Sequence, residues 1–166
     1  LATAEARSNL SRYDGVRYGY RSDLAKDVAS MYVRSRSEGL GKEVLRRIIL
    51  GTFVLSSDYH DTYYTKAQKV RRLIRDKTIR LLKDYDVLLM PTTPTTAFKL
   101  GTRHQSPLTM YMADLFSVQA NVTGLPAISF PFGKDQQGLP IGLQAMGKAF
   151  SEDSLLQFAK VLSVDR

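Results

Sequence analysis

Apolar residues recur at intervals of three and four along most of the chain, a spacing that predicts amphipathic helices. The predicted helices cover residues 1–10, 23–37, 42–55, 61–84, 108–121 and 151–164. In residues 42–55 the apolar positions fall on more than one helical face, which is typical of a helix buried on most sides. The last helix follows Ser151, whose hydroxyl oxygen is expected to cap its first turn.

Three shorter segments have the composition of strands. Residues 85–90 contain a continuously apolar run, 87–90, that Pro91 ends, and this pattern is typical of a strand covered on both faces. Residues 127–130 and 139–146 are predicted to pair as a hairpin, and residues 11–21 are predicted to form a loop with a short strand. Because helices and buried strands interleave along the chain, the sequence predicts an α/β layered fold.

Composition narrows the class of protein. The chain has 166 residues, a formal charge of +8 and no cysteine. The lack of cysteine excludes disulfides, a thiolate nucleophile and Cys-ligated metal, and favours the cytoplasm. Apolar runs are far shorter than the roughly 18 residues that span a membrane, so no membrane association is expected. The opening residues carry neither an initiator Met nor a signal-peptide pattern. We therefore interpret the chain as part of a longer protein.

Motifs with a self-contained catalytic mechanism are missing from the sequence. The two histidines, His60 and His104, lie in polar contexts that favour a surface position over a role as general base. No serine lies in a G-x-S-x-G elbow, and the phosphate-loop, dinucleotide and H-E-x-x-H metal motifs do not occur. The sequence therefore predicts neither catalytic nor metal-binding residues.

The basic residues of the 61–84 segment have two interpretations. They could form a stripe that contacts nucleic-acid phosphates, or simply the solvated face of a helix, which the lack of an aromatic RNA-reading motif favours. The stripe comprises Arg71, Arg72, Arg75, Lys77, Arg80 and Lys83.

Two charges stand in apolar helical contexts. Arg47 lies within residues 44–55, and Asp114 lies between Ala113 and Leu115. A buried charge must find partners, and Glu43, four residues before Arg47, could supply one. Alternatively, a guanidinium and a carboxylate suit the two charges of an amino acid. Both interpretations stay open from the residues alone.

Several sequence blocks resemble one family in the same order over nearly the whole chain. They are residues 4–6, 8–19, 39–52, 63–71, 86–94, 114–126 and 138–142. These blocks resemble the amidase signature family and, through the Asn-Leu-Ser-Arg-Tyr-Asp-Gly block at residues 9–15, the A subunits of glutamyl-tRNA(Gln) amidotransferases. One departure is Arg7, which stands where the family often has a small serine.

The resemblance implies a fold and a missing catalytic centre. Family members hydrolyse amides with a Ser, cis-Ser, Lys triad in a Gly/Ser-rich region, and no such region occurs here. The implied architecture is a mixed sheet flanked by helices, of which residues 1–166 would be the C-terminal portion of a single amidase domain. Such a portion is expected to be inactive alone.

The resemblance also implies a substrate and partners. The A subunits release ammonia from glutamine, and a B subunit uses ATP and magnesium to amidate Glu-tRNA(Gln), while a small C subunit braces the complex. No cofactor is implied for this chain. Arg47 would bind the glutamine carboxylate, and Asp114 would accept hydrogen bonds from its amino group. The alternatives are another amidase-signature hydrolase and a basic RNA-binding module.

Overall fold

The computed structural model describes residues 1–102 and 107–163. Helices dominate this part of the chain, with three short strands and a π-helical turn, His60–Thr65, among them. The α-helices are α1 (Ala2–Leu10), α2 (Val28–Gly39), α3 (Lys42–Val54), α4 (Lys66–Asp84), α5 (Pro107–Ala113), α6 (Ser117–Thr123) and α7 (Glu152–Leu162). The strands are β1 (Leu88–Pro91), β2 (Ala127–Lys134) and β3 (Pro140–Met146). The predicted α/β class is confirmed.

The chain divides into two compact units, Leu1–Val70 and Arg71–Arg166, with the division inside α4. The first unit contains α1, α2, α3 and the π-helical turn. The second contains the sheet with α5, α6 and α7. The interpretation of residues 1–166 as part of one amidase domain stays a prediction.

Close packing of α1 on α3 organises the first unit. Gly51 is the buried residue of α3, and a Cβ atom there would collide with the Thr3 carbonyl and with Cβ of Arg7. Only glycine lets the two helix backbones approach so closely. Arg7 adds a polar link, since its Nε donates to Thr52 Oγ1 across 3.4 Å.

The segment between α1 and α2 contains no strand, so the strand predicted within residues 11–21 is wrong. The carboxylate of Asp14 instead accepts hydrogen bonds from the backbone N–H groups of Val16 and Arg17, each at 2.9 Å, and closes a turn. Helix α2 then begins five residues later than predicted. Asp27 and Ser30 form a capping box at that point.

The second unit is built on a three-stranded sheet in the order β1-β3-β2. Both pairs are antiparallel. The predicted hairpin is confirmed, with Ala127 opposite Met146 and a bulge between Pro131 and Gly133. Strand β1 is only half-buried rather than covered on both faces, because it lies at the edge of this sheet.

Helices cover both faces of β3. Ala145 packs in a cluster with Leu155 and Ala159 of α7, whereas its neighbour Met146 packs with Leu82 of α4 and with Leu125. Successive strand residues point to opposite faces, so these two fully buried residues mark the two layers of the core. The layered arrangement follows from an apolar strand that needs cover on both sides.

Two local predictions need correction. The helix predicted over residues 108–121 is broken into α5 and α6 by a turn at residues 114–116. Ser151 occupies the N-cap position of α7, but its hydroxyl does not cap the first turn, because it donates to the Lys148 carbonyl instead. The predicted stop after α6 is confirmed, since Gly124 adopts a left-handed conformation with φ of 68°.

Within the described ranges, no helix is long and apolar enough to cross a membrane.

Candidate functional site

Arg47 lies on α3, one turn before the glycine that contacts α1. Its Nε donates to Glu43 Oε1 across 3.0 Å, so the intrahelical pair considered from the sequence is present. The other carboxylate oxygen of Glu43 lies 3.6 Å from Nη1 of Arg46. One carboxylate thus holds two neighbouring guanidinium groups on the same helix.

The predicted burial of Arg47 is wrong, since 53% of its side chain is exposed. Helix α3 buries only the side that carries Gly51, and it leaves Ile49, Leu50 and Phe53 exposed. The charge is therefore not desolvated, and an exposed pair at this spacing contributes only about 0.3–0.5 kcal/mol to stability. The Arg47–Glu43 pair explains the orientation of the side chain better than it explains the stability of the fold.

The hydrogen bond to Glu43 fixes one edge of the Arg47 guanidinium. Arginine has five N–H donors in a planar fork, and Glu43 engages the one on Nε. In the part of the chain that the structure describes, the terminal Nη atoms of Arg47 donate no hydrogen bond. Those two atoms form the edge that binds a carboxylate in bidentate fashion. The geometry is therefore compatible with both interpretations of Arg47.

Asp114 lies in the turn that separates α5 from α6, and it is exposed rather than buried as expected from the sequence. Its backbone carbonyl accepts from the backbone N–H of Val118 at 3.0 Å and from the Ser117 hydroxyl at 3.2 Å. These bonds start α6 and orient the residue. The break in the helix explains the exposure, because Asp114 leaves the apolar helical face that the sequence suggested.

The side chain of Gln144, which was not predicted as a site residue, holds this turn. Gln144 of β3 is buried, and its Nε2 donates to the carbonyl of Phe116 across 3.2 Å. A single glutamine within an apolar strand was the available signal, since a buried polar group is nearly always hydrogen-bonded. Gln144 thereby ties the turn that carries Asp114 to the central strand.

Arg47 belongs to the first compact unit and Asp114 to the second. Their joint binding of one substrate therefore stays a prediction.

Of the two histidines, His60 lies within the described residues. His60 begins the π-helical turn, where its Nδ1 lies 3.3 Å from Asp61 Oδ1 and its ring packs against Tyr64. The hydrogen bond from His60 is the largest cause that lowers the pKa of Asp61, and the hydrogen bond from Thr65 is the next. His60 is 45% exposed, in line with the predicted surface position. His104 lies outside the described residues.

The basic stripe is only partly available to a ligand. Arg71 donates from Nε to the Val122 carbonyl at 2.9 Å, a structural bond that joins α4 to α6. Arg72 lies 4.0 Å from Asp76. Arg75, Lys77, Arg80 and Lys83 are exposed.

Asp14 is the most strongly perturbed acid of the described chain, and no role was assigned to it from the sequence. Backbone N–H groups of Arg17 and Val16, with the guanidinium of Arg17 at 3.0 Å, lower the pKa of Asp14 to about 2. The carboxylate itself is buried. The Asp-Gly pair was its sequence signal, since both residues favour turns.

We expect Asp14 to make stability depend on acid pH. The folded pKa of about 2 lies below the roughly 3.9 of an unfolded aspartate. The stabilisation is therefore complete above about pH 4 and is lost as pH falls towards 2. Replacing Asp14 by Asn should lower the melting temperature of the full-length parent at pH 7, with a difference from wild type that shrinks below pH 4.

The exposed Asp23 in the same loop supplies the control for that titration. Between pH 7 and pH 3, the difference in melting temperature between Asp23→Asn and wild type should stay nearly constant. A constant deficit of Asp14→Asn across this range would show that the charge on Asp14 does not stabilise the fold.

The described side chains do not form a metal site. No group of three His, Cys, Asp or Glu residues lies close enough there to hold an ion.

Comparison with known proteins assigns the fold to a family. Residues 1–156 match the Amidase family. The A subunit of glutamyl-tRNA(Gln) amidotransferase from Halothermothrix orenii is 60% identical over 162 residues, 98% of this chain and 34% of that protein. The corresponding A subunit from Legionella pneumophila is 59% identical over 96% of this chain and 33% of its own length.

A solved structure shows the same similarity to an amidotransferase A subunit. The crystal structure of the glutamyl-tRNA(Gln) amidotransferase A subunit from Thermotoga maritima superposes with a TM-score of 0.58 at 39% identity, over 92% of this chain and 31% of that one. This chain thus spans about a third of the length of the relatives it matches. On the match to residues 1–156, the chain belongs to the amidase family.

Proposed function

We propose that this chain is the C-terminal portion of the A subunit of a glutamyl-tRNA(Gln) amidotransferase. The observation that carries the proposal is the 60% identity to such a protein over 98% of the chain. The whole protein would hydrolyse glutamine and supply ammonia for converting Glu-tRNA(Gln) to Gln-tRNA(Gln). Its partners would be the B and C subunits, with ATP and magnesium used by the B subunit in the cytoplasm.

Within that reaction, the residues of this chain would bind and orient the substrate. In the whole protein, a serine nucleophile with its base would attack the side-chain amide, and residues 1–166 would hold the amino-acid end of glutamine. Arg47 would bind the carboxylate through its Nη atoms while Glu43 holds Nε in place. Asp114 would accept from the ammonium group. Holding one end of the substrate fixes the position of the amide at the other.

The test measures glutaminase activity of the full-length parent in complex with its partner subunits. Asp114→Ala should raise the KM for glutamine by roughly tenfold or more, because it removes a charge-assisted hydrogen bond worth about 1.5–3 kcal/mol. The turnover number should change much less. Glutaramate, which is glutamine without the amino group, should be hydrolysed equally by wild type and variant.

Ser117→Ala is the matched control, because it removes a hydrogen bond to the carbonyl of Asp114 without touching its carboxylate. It should leave the KM for glutamine within about twofold of wild type. Equal losses with glutamine and glutaramate in Asp114→Ala would assign that aspartate to the structure of the turn. Loss of glutamine and glutaramate hydrolysis in Ser117→Ala would also indicate that Asp114 acts through the structure of the turn.

A further inference from the structure

A cleft of about 390 Å³ opens in the second unit beside the C-terminal half of α4. Four of its residues, Arg75, Ile79, Leu82 and Lys83, share one side of that helix. Leu125, Lys148 and Ala149 complete the lining. We call this feature the basic cleft. All of its residues lie between Arg71 and Ala149.

The floor of the basic cleft is apolar and preformed. Leu82 and Leu125 are 2% and 8% exposed, and they pack with the fully buried Met146 in the core beneath the cleft. Ile79 and Ala149 add further apolar surface to the lining. Because the floor is part of the core, its shape does not depend on mobile side chains. A concave, mostly apolar surface of this volume is typical of small-molecule sites.

The charged side chains among the described lining residues are all cationic. They are the exposed Arg75, Lys83 and Lys148, and no carboxylate lines the basic cleft in the part of the chain that the structure describes. We call these three cations the rim. Lys148 Nζ lies 3.7 Å from Asp86, whose side chain is fully exposed, so this pair is weak. Across the described chain, Arg75 and Lys83 form no ion pair. Three cations around an apolar floor therefore lack internal compensation for most of their charge.

We propose that the basic cleft binds a small amphipathic anion, namely a carboxylate, sulfonate or phosphate attached to an aliphatic or aromatic body. The apolar body would cover Ile79, Leu82 and Leu125, and the anionic group would contact the rim. Such a ligand complements the apolar floor and the cationic rim together. Burial of its apolar body and charge-assisted hydrogen bonds to its anionic group both favour binding. Neither Arg47 nor Asp114, the residues proposed to bind glutamine, is among the residues that line the basic cleft.

Charge and shape together favour this ligand over RNA. Phosphates of RNA bind cations spread over an open surface, whereas the cations of the basic cleft surround a recess lined by aliphatic side chains. Lys77 and Arg80, which an RNA stripe along α4 would include, do not line the cleft. They serve instead as matched controls on the same helix.

The experiment uses the full-length parent and decanoate, with 1-decanol as the neutral analogue of similar length. Binding is followed by displacement of the fluorescent anion 8-anilinonaphthalene-1-sulfonate. Decanoate should displace the probe, and 1-decanol should do so at least about tenfold more weakly, as expected for loss of charge-assisted bonds of about 1.5 kcal/mol or more. The double variant Arg75→Gln, Lys83→Gln should weaken decanoate by about tenfold. Lys77→Gln, Arg80→Gln should stay within twofold.

A second variant protects the test against misfolding. Ala149→Phe places a ring in the opening of the cleft and should abolish displaceable binding while the melting temperature stays near that of wild type. Equal binding of decanoate and 1-decanol, or equal effects of the two double variants, would overturn the proposal. So would displacement of the probe by tRNA but not by decanoate, since it would identify a nucleic-acid surface.

Discussion

Replacing Arg47 by Ala in the full-length parent should raise the KM for glutamine by roughly 30- to 100-fold, with a much smaller effect on the turnover number. In the proposed role of Arg47, the variant would remove a bidentate contact to the substrate carboxylate, and truncation of one partner of such a pair costs about 2–3 kcal/mol or more. The effect should be specific for the carboxylate. With 4-aminobutanamide, which lacks that group, wild type and variant should show similar activity.

Arg46 provides the matched control for this prediction. It lies next to Arg47 on α3, it has a similar exposed fraction, 46% against 53%, and its Nη1 lies 3.6 Å from the same Glu43. Arg46→Ala should leave the KM within about threefold of wild type. Arg47→Lys should recover only part of the affinity, since an ammonium group does not reproduce the planar fork. Unchanged kinetics in Arg47→Ala would leave Arg47 as a structural partner of Glu43 alone.

The second large effect concerns stability. Gly51→Ala should lower the free energy of unfolding of the full-length parent by about 2–4 kcal/mol, because the new Cβ collides with backbone of α1 and the helices must separate. The collision is with the Thr3 carbonyl, a group that cannot turn aside as a side chain would. The measurement is thermal unfolding followed by circular dichroism.

Gly41→Ala is the control, since Gly41 precedes the same helix and has open space where its Cβ would lie. This change should cost about 1 kcal/mol or less, the usual difference between glycine and alanine at a helix N-cap. Arg7→Ala separates the two contacts of α1 with α3, because it removes the polar link to Thr52 and spares the glycine. If Gly51→Ala were as stable as Gly41→Ala, the close approach of α1 and α3 would not be required for folding.

Local chemistry explains which elements were predicted well. The hairpin of β2 and β3, the stop at Gly124 and the long helix ending at Asp84 all depend on residues near one another in sequence. Turn residues and apolar periodicity act within a few positions, so a single chain reveals them. The turn at Asp14 follows the same logic, although the strand predicted around it did not form.

Burial was harder to predict. Apolar positions on several faces of residues 42–55 suggested that Arg47 is enclosed, yet α3 buries one side only. Apolar side chains are common on the surfaces of folded proteins. Apolar periodicity therefore does not reveal which of them a neighbouring element covers. The expected burial of Asp114 failed for another reason, because Gln144, far along the chain in β3, holds the turn that breaks the helix.

The sequence by itself determined the α/β class, the order of most helices and strands, and the family resemblance, because these depend on local pattern and on residue identity. Tertiary structure alone decided the rest. It placed Ala145 and Met146 on opposite sides of one strand, exposed Arg47 beside Glu43, and brought Arg75, Leu125 and Lys148 around one cleft. Contacts between residues far apart in the chain depend on packing, and packing is chosen by the shapes of whole elements rather than by any short segment.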